Sequence, residues 1–358
     1  MIEVKLVRAG QLTSNQLAHW SEIQLANSIL NSPFFRPEFT QVVSKARRDV
    51  EVAVLRRNGR EIGFFPFQRG RRNLAQPVVG RLSDMHGVIV EEDVAWSGEE
   101  LLRGCRLKAW YFDHLVASQQ PLQPFHWCEA ESPYMDLSFG FAKYKNTCQQ
   151  QGSRLIPQLE RKARKLKREQ GPLRLEFHTT AREALRALCE WKAAQYRRTG
   201  RLQVFRYNWV MKLLKRIRYV KTPEFSGVCS ALYVRDKVIA VHLGMRSRHV
   251  LHWWFPSFDR DYNRYSPGLI LLLELAKAAE SLEIHRIDLG KGPERYKASL
   301  KSGSIALGVG CIDRRPLQRT AWHSWHAAKQ WMRSSNYRKQ FEIPIDASRR
   351  LRQWLAFR

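Results

Sequence analysis

The segment IDLGKGPERYKASLKSG, residues 287–303, concentrates side chains that can carry out group-transfer chemistry. Its polar candidates are Asp288, Lys291, Glu294, Tyr296 and Lys297. A tyrosine hydroxyl can protonate a departing thiolate, and a lysine ammonium can stabilise an oxyanion or a phosphate. Because residues 285–289 are predicted to form a strand, these side chains should lie beyond its carboxyl end, where ligands bind in open α/β sheets. A Tyr-Lys pair alone also fits an ordinary half-buried helix, so that alternative stays open.

The tripeptide Ser266-Pro267-Gly268 precedes an apolar segment that is predicted to be helical as far as about residue 282. A helix N-terminus exposes unpaired N–H groups and the positive end of the helix dipole, so phosphate oxygens bind there readily. Pro267 fits the first helical turn, and Gly268 lets the backbone approach a ligand closely. The same tripeptide also makes an ordinary helix start, so it indicates a phosphate site only in combination with other motifs.

A general base is harder to find in the sequence. His242 lies on a predicted strand and is a candidate because histidine is the commonest general base, although a lone strand histidine is often a packing residue. His252, on the next strand, is followed directly by aromatic residues, which favours packing. Asp84 and His86 belong to LSDMHGVIV and could face a cleft between the two halves of the chain, where sites are common. They could equally form a polar turn with Gly87.

Alternating strands and helices are predicted to carry these residues. The order in the second half is strand, strand, strand, helix, strand, helix, strand. Asn58-Gly59 and Arg235-Asp236 are predicted hairpin turns. On the helix predicted for residues 181–197, Leu185, Leu188 and Trp191 are expected to share one face. The predicted strands cover residues 50–56, 62–67, 88–90, 173–178, 227–234, 237–245, 250–255, 285–289 and 305–311. Further helices are predicted over residues 17–30, 153–170 and 294–300.

The length and composition of the chain limit what kind of protein it can be. The 358 residues suggest two domains, and 44% hydrophobic residues exclude a wholly disordered chain. The formal net charge of +28 favours an anionic partner: a phosphate-bearing cofactor, an acidic polymer, a nucleic acid or a membrane surface. The six cysteines lack CxxC spacing, so we expect no zinc site or other metal centre and a reducing compartment. No segment has the pattern of a signal peptide or of a transmembrane helix.

Two segments are unusually basic. The helix predicted for residues 153–170 carries seven Lys or Arg, and the tail after residue 313 combines basic residues with four Trp. The basic helix is either a solvated surface or a contact for an anionic polymer, a membrane or tRNA. The tail is expected to be helical and either packs on the domain or lies at a lipid interface.

Taken together, these segments carry a family resemblance. Residues 234–280 and 285–303, with their aromatic strand, YNRYSPG loop and DLGKGPERYK segment, resemble GNAT-type acyltransferases of the CelD/BcsL-like kind, which are associated with cellulose and exopolysaccharide biosynthesis. The sequences PFFRPEF, GFFPFQR and LSDMHGVIV also look like that family, and the resemblance covers roughly residues 30–312. Fem-type peptidyltransferases are more distantly similar.

The resemblance implies an α/β fold with mixed sheets and two tandem GNAT-like domains. We expect an N-terminal domain over residues 1–150, a GNAT acyltransferase domain over 151–312 and a basic Trp-rich tail over 313–358. The pyrophosphate of acetyl-CoA or a longer acyl-CoA would bind at Tyr265, Ser266, Pro267, Gly268 and Leu269. Only Gly268 remains of the usual GNAT pyrophosphate loop. Tyr296 would protonate the thiolate, and Lys297 would stabilise the tetrahedral intermediate. The other catalytic candidates are His242 and Asp288. The residues assigned to acceptor binding are Asp84, His86 and Glu294.

Three functions follow as hypotheses. The first is an acyl-CoA-dependent N- or O-acyltransferase acting on a sugar or polysaccharide precursor, cytoplasmic, with peripheral contact at the inner membrane left open. The second replaces the donor by aminoacyl-tRNA, as in Fem-type enzymes; strong salt dependence would mark it. The third is a non-catalytic accessory protein of a membrane polysaccharide synthase. Retention of function in Lys297→Ala, with loss on deletion of residues 313–358, would favour the third.

Overall fold

A computed structural model describes residues 2–316 and residue 318. The chain divides into two compact units. The first unit comprises the described residues of Met1–Asn27, Val43–Ala130 and Ala306–Arg358, and the second comprises Ser28–Val42 and Glu131–Ile305. Much of the predicted tail, including its Trp residues, lies outside the described residues.

Strands form the frame of both units. They are β1 (Glu3–Arg8), β2 (Val50–Arg57), β3 (Arg60–Arg69), β4 (Leu74–Gln76), β5 (Ile89–Val90), β6 (Ala109–Val116), β7 (His126–Asp136), β8 (Leu173–Glu176), β9 (Phe225–Val234), β10 (Lys237–Ser247), β11 (Val250–Phe258), β12 (Arg286–Asp288) and β13 (Gly303–Asp313).

The described residues also form helices. They are α1 (Ser14–Ala26), α2 (Pro37–Ser44), α3 (Gly98–Gly104), α4 (Gly140–Gln150), α5 (Leu155–Gln170), α6 (Arg182–Thr199), α7 (Asn208–Ile217), α8 (Pro267–Ala278) and α9 (Arg295–Leu300). Several single 3-10 turns connect them, among them Arg260–Tyr265 immediately before α8.

In the first unit the strand order is β1-β2-β3-β4-β6-β13, with β5 beside β3. The β2–β3 hairpin turns at Asn58-Gly59, as predicted, and both residues have positive φ, which the twist of a two-residue hairpin requires. The core of this unit is aromatic: Phe65, Phe67 and Trp110 are fully buried, and the Phe65 and Trp110 rings meet edge to face at 4.8 Å.

In the second unit the order is β7-β12-β11-β10-β9-β8. Most neighbours are antiparallel, but β11 and β12 are parallel, so the sheet is mixed as predicted. The apolar residues of α8, including Ile270, Leu271 and Leu272, are buried in a core with Trp253 of β11 and Leu159 of α5. Burial on nearly all sides explains why α8 has almost no polar face.

The compact units do not follow the predicted domain boundaries at residues 150 and 312. Residues 131–136 of β7 lie beside β12, and α4 packs on α8, so both belong with the second unit. Residues 28–42 also join it, because Phe34 and Phe39 pack against Trp254. Residues 307–313 of β13 pair with β6 and belong with the first unit.

None of the helices that the structure describes has the length and apolarity needed to cross a bilayer. Within residues 2–316 and residue 318, no three His, Cys, Asp or Glu side chains converge as a metal site would require.

Candidate functional site

The N-terminus of α8 is built around Ser266. This residue adopts a left-handed conformation, with φ 59° and ψ 54°, and reverses the chain from the preceding turn into the helix. Its carbonyl accepts hydrogen bonds from the N–H groups of Leu269 and Ile270, at 3.0 and 3.1 Å. Its side chain does not cap the helix; instead the ammonium of Lys162 donates to Ser266 Oγ at 2.8 Å. A cation from α5 therefore stands at the positive end of α8.

Tyr265 ties the same loop to α5. Its hydroxyl donates to Glu169 Oε2 at 2.5 Å and also contacts the Arg264 guanidinium. The hydrogen bond from Tyr265 lowers the pKa of Glu169, helped by the charges of Lys165, Arg264 and Arg168. Tyr265 itself is 2% exposed, so its role in this structure is to position the loop.

Gly268 lies where a side chain would meet β11. A Cβ at this position would stand 3.2 Å from Cδ1 of Phe258, tighter than an ordinary contact. The absence of a side chain lets the first turn of α8 approach the end of β11 closely. Pro267, the preceding residue, is buried and has no N–H to satisfy, as expected at the start of a helix.

β11 and β12 separate at the position where the site candidates begin. Their parallel pairing is limited to three residue pairs and ends at His252 and Asp288. The next N–H, that of Leu289, donates to the carbonyl of Pro133 on β7, while β11 runs on to Phe258. The segment after β12 thus follows β7 and leaves β11. The edge of β11 beyond His252 is therefore not paired with the loop at residues 289–294.

Tyr296 faces this region from the first turn of α9. Its ring packs on the core, and its hydroxyl hydrogen-bonds the indole of Trp253 on β11. Burial raises the pKa of Tyr296, and the nearby carboxylate of Glu294 raises it further. The hydroxyl is therefore protonated at neutral pH, which is the state a general acid needs.

Lys297 holds the loop that follows β12. Its ammonium donates to the carbonyls of Gly290 and Lys291 at 3.0 and 3.3 Å and forms an ion pair with Glu294 at 3.2 Å. The residue is 8% exposed. Gly292 makes room for the pair, because a Cβ there would lie 2.1 Å from Glu294 Oε2 and 2.8 Å from Lys297 Nζ. Direct stabilisation of an oxyanion by Lys297 stays a prediction, since it needs one of these contacts to be exchanged.

Asp288 is the last residue of β12 and is buried, with 1% exposure. Its Oδ1 lies 2.9 Å from Nε of Arg286, and neither carboxylate oxygen makes a hydrogen bond within the described part of the chain. The Arg286 guanidinium in turn lies 5.5 Å from the ring centre of Tyr134. Asp288 is thus held by an ion pair rather than directed to the turn at residues 290–292.

His242 is not placed to take a proton from an acceptor. It is fully buried at a bulge of β10, stacked on Trp253 with ring centres 4.2 Å apart. Burial lowers its pKa to about 3, so the ring is neutral. His252, 1% exposed, packs edge to face against Phe34 at 4.9 Å, which agrees with a packing role.

Asp84 and His86 belong to the first unit, whereas the residues described above belong to the second. His86 is 7% exposed, and its Nε2 accepts the N–H of His114 at 3.2 Å. His114 Nε2 lies 3.9 Å from Asp84. Their assignment to the acceptor stays a prediction.

Lys192 of α6 is a site residue that the sequence pattern did not predict. This lysine is 8% exposed, and burial lowers its pKa to about 8. The charges of Arg201, Glu294 and Lys297 act on it, so it belongs to the same cluster as Glu294. A signal was present: Leu185, Leu188 and Lys192 follow helical spacing, which puts a lysine on the buried face of the helix.

This geometry coincides with a known domain. Residues 153–298 match the model of the acetyltransferase (GNAT) domain. Over these residues the chain is similar to GNAT-type acetyltransferase domains. The matched residues include α5, α6, α8 and the loop from β12 to α9, so every part of the cluster around Tyr296 lies inside them. A search of curated proteins found no match.

Solved structures extend the likeness to most of the chain. The C-terminal domain (DUF2156) of a putative lysylphosphatidylglycerol synthetase from Agrobacterium fabrum is similar at 12% identity and TM-score 0.52, over 90% of this chain and 98% of that one. FemX is similar at 12% identity and TM-score 0.54, over 78% and 92%. A tandem GNAT protein from the clavulanic acid biosynthesis pathway is similar at 11% identity and TM-score 0.50, over 88% and 99%.

At such identities the similarity shows the fold. The predicted α/β class and tandem GNAT-like architecture are confirmed by these neighbours. The narrower resemblance to the CelD/BcsL-like kind is not confirmed by them and stays a prediction.

Proposed function

We propose that this protein transfers an acyl group from an acyl-CoA to an amine or hydroxyl of a sugar or polysaccharide precursor. The observation that carries the proposal is the Lys162 ammonium 2.8 Å from Ser266 Oγ at the N-terminus of α8. A helix N-terminus supplies N–H donors, and the lysine supplies a full positive charge beside them. Together they fit a pyrophosphate better than a helix end alone, and they compensate for the glycines that the loop lacks.

The extended arm of the donor would lie along β11. Beyond His252 this strand has lost its β12 partner, so its backbone edge from Trp253 to Phe258 is not bonded to β12. Unpaired strand edges bind extended chains through main-chain hydrogen bonds. An arm that contains amides and runs from Gly268 along this edge would bring its thioester towards Trp253 and Tyr296.

The chemical step assigns roles to the residues around that thioester. The acceptor nitrogen or oxygen attacks the thioester carbonyl carbon, a new C–N or C–O bond forms, and the C–S bond breaks. Tyr296 gives its hydroxyl proton to the departing sulfur, so the donor leaves as a thiol. The proton that the acceptor nitrogen or oxygen loses returns to the Tyr296 phenolate through solvent, which restores the enzyme. Lys297 and Glu294 hold the loop that follows β12. Asp288, which is paired with Arg286, is given no direct part in the step. His242 takes no part in this step, because its ring is enclosed and burial lowers its pKa to about 3, which makes it a weak base.

The sugar or polysaccharide acceptor rests on the resemblance of the sequence to CelD/BcsL-like proteins. The protein should therefore be assayed with amino sugars and neutral sugars as acceptors, with acetyl-CoA and longer acyl-CoAs as donors, by following release of free thiol. Thiol release that needs both substrates and is lost in Gly268→Glu supports the proposal. Gly268→Ala, which must only displace Phe258, is the matched variant and should retain part of the activity. Thiol release that is unaffected by Gly268→Glu would place the donor elsewhere.

Aminoacyl-tRNA is the second candidate donor, and one observation favours it. The exposed side of α5 carries Arg161, Arg164, Lys165, Lys167 and Arg168. A cleft of about 420 Å³ beside it is lined by Arg164, Lys167 and Lys277, together with Glu160 and Glu274. Glu274 lies about two turns along α8 from Gly268, so this cleft is separate from the proposed donor site. Binding of tRNA that weakens steeply with salt, without any CoA binding, would select this donor.

A further inference from the structure

Lys192 is a buried ammonium with unused hydrogen-bonding capacity. It lies on the inner face of α6, which packs on β10 and β11, and 8% of its surface is exposed. A lysine has three donors. One goes to Gln195 Oε1 at 3.1 Å, and the nearest aromatic ring is that of Tyr196, with its centre 5.8 Å from Nζ. Within the described residues, no carboxylate lies within 4.0 Å of this ammonium.

The groups around Lys192 do not neutralise it. Arg201 and Lys297 both act on it as like charges, and Glu294 is the acid in the group. Glu294 is already paired with Lys297 at 3.2 Å and with Arg201 at 3.8 Å. Its Oε2 atom is buried but makes no hydrogen bond in the described structure. Glu294 is therefore the one carboxylate acting on Lys192, and it is already paired with two other cations.

Burying the Lys192 charge without a paired anion costs free energy of folding. A buried charge costs several kcal/mol when it is unpaired, so the protein either releases the proton or binds a counter-charge. The cluster is not sealed, because the side chains of Arg201 and Glu294 are 57% and 37% exposed. The exposed side chains of Arg201 and Glu294 mark the side from which a small ligand would approach the cluster.

We propose that Lys192, with Arg201 and Lys297, forms a subsite for an anionic group of the acceptor, either a carboxylate or a phosphate. The assignment to the acceptor rests on the proposed function, because the donor pyrophosphate is placed at Lys162 and Ser266 on other elements. The subsite itself does not depend on that assignment. It restricts the substrates to acceptors that carry a negative charge near the reacting amine or hydroxyl.

The test measures anion binding to the full chain without any donor. Glucuronate and glucose 6-phosphate are the probes, since both are fully ionised at pH 8, and glucose is the neutral match. In calorimetric titration, at least one of the two anions should bind about tenfold tighter than glucose or more. The anion that binds tighter shows whether the subsite prefers a carboxylate or a phosphate. Lys192→Met should remove this preference, while Lys212→Met, at an exposed lysine on the neighbouring α7, should keep it. Lys162→Met should also keep it, because that lysine belongs to the donor site.

A second readout uses the unmodified protein. Binding of an anion should draw a proton onto Lys192, because its pKa in the free protein is about 8. Titrations at pH 8 in two buffers of different ionisation enthalpy should show uptake of up to about half a proton, and the uptake should vanish at pH 6. The charged and titratable groups facing Lys192 are Arg201, Glu294, Lys297 and His242.

The outcomes separate the two proposals. Equal binding of glucose and both anions, or unchanged anion binding in Lys192→Met, overturns the subsite. Failure of acyl-CoA to bind, with anion binding at Lys192 intact, overturns the proposed donor and leaves the subsite. If Lys192→Met does not fold, the absence of proton uptake in the unmodified protein overturns the subsite by itself.

Discussion

The ammonium of Lys162 donates to Ser266 Oγ at 2.8 Å, joining the basic helix α5 to the N-terminus of α8. Ser266 is thereby used as an acceptor for a cation rather than as a helix cap. The basic residues of α5 thus have two environments. Lys162 is directed to the start of α8, whereas residues such as Lys167 are exposed.

Lys162 should contribute to donor binding and its exposed neighbour should not. Lys162→Ala removes a charge from the helix end and is expected to weaken acyl-CoA binding about tenfold, the range of one charge-assisted contact. Lys167→Ala, which removes the same charge from the outer side of α5, is the control. Equilibrium titration measures the acyl-CoA affinity of both variants. An equal loss of affinity in the two would show only a general effect of net charge and would contradict a specific role for Lys162.

Removal of the Tyr296 hydroxyl should affect turnover and not donor binding. Tyr296→Phe keeps the ring in the core but loses the proton donor, so kcat should fall about 100-fold or more while the Kd for acyl-CoA stays within about twofold. Tyr262→Phe, at another half-buried tyrosine of the same core, is the control. A Tyr296→Phe enzyme with undiminished kcat would remove this residue from the mechanism.

Gly292 should be required for activity more than for stability. A methyl group there would collide with the ends of two flexible side chains, Glu294 and Lys297, which can move apart. We expect Gly292→Ala to lower kcat/KM by more than about tenfold while changing unfolding free energy by about 0.5 kcal/mol or less. Gly10→Ala, where a Cβ meets nothing within 4 Å, should change neither. Full activity in Gly292→Ala would mean that the Glu294–Lys297 pair is dispensable.

Lys192 should make the free energy of unfolding vary with pH in the alkaline range. Its pKa falls from 10.5 to about 8 on folding, so between pH 8 and 10.5 the unfolded chain binds more protons than the folded one. Stability contributed by this group therefore rises with pH across that window, by roughly 3 kcal/mol at most. Lys192→Met should be the more stable protein at pH 7, and the difference should shrink towards pH 10.5. Urea unfolding at both pH values tests this; a constant difference would contradict the lowered pKa.

The sequence located the secondary structure of the site well where local signals were strong. The hairpin turns at Asn58-Gly59 and Arg235-Asp236, the helix after Ser266 and the short helix holding Tyr296 all lie where the pattern predicts them. Each of these depends on a turn residue or on helical spacing, which act over a few residues. The strand β7 was missed, because its polar residues and Pro133 do not alternate as a strand pattern should.

The environment of each side chain could not be read in the same way. The prediction that Trp191 lies with Leu185 and Leu188 was inexact, since Lys192 is the buried residue and Trp191 is half-buried. His242 had the chemistry of a base, but the bulge of β10 and the stacking on Trp253 enclose it. Likewise, the partner of Ser266 is about a hundred residues away in the chain, so only the tertiary structure shows that Lys162 faces it.

The central claim is that the start of α8 binds the phosphates of an acyl-CoA. The most direct measurement is calorimetric titration of the full chain with acetyl-CoA and longer acyl-CoAs, with free CoA as control, at two salt concentrations. We predict micromolar binding that weakens in Lys162→Ala and in Gly268→Glu. The acyl-chain length that binds most tightly identifies the preferred donor. An unfolding curve measured on the same preparation shows that the protein is folded. If this folded protein binds no CoA, the result contradicts the claim and favours aminoacyl-tRNA as donor or an accessory role.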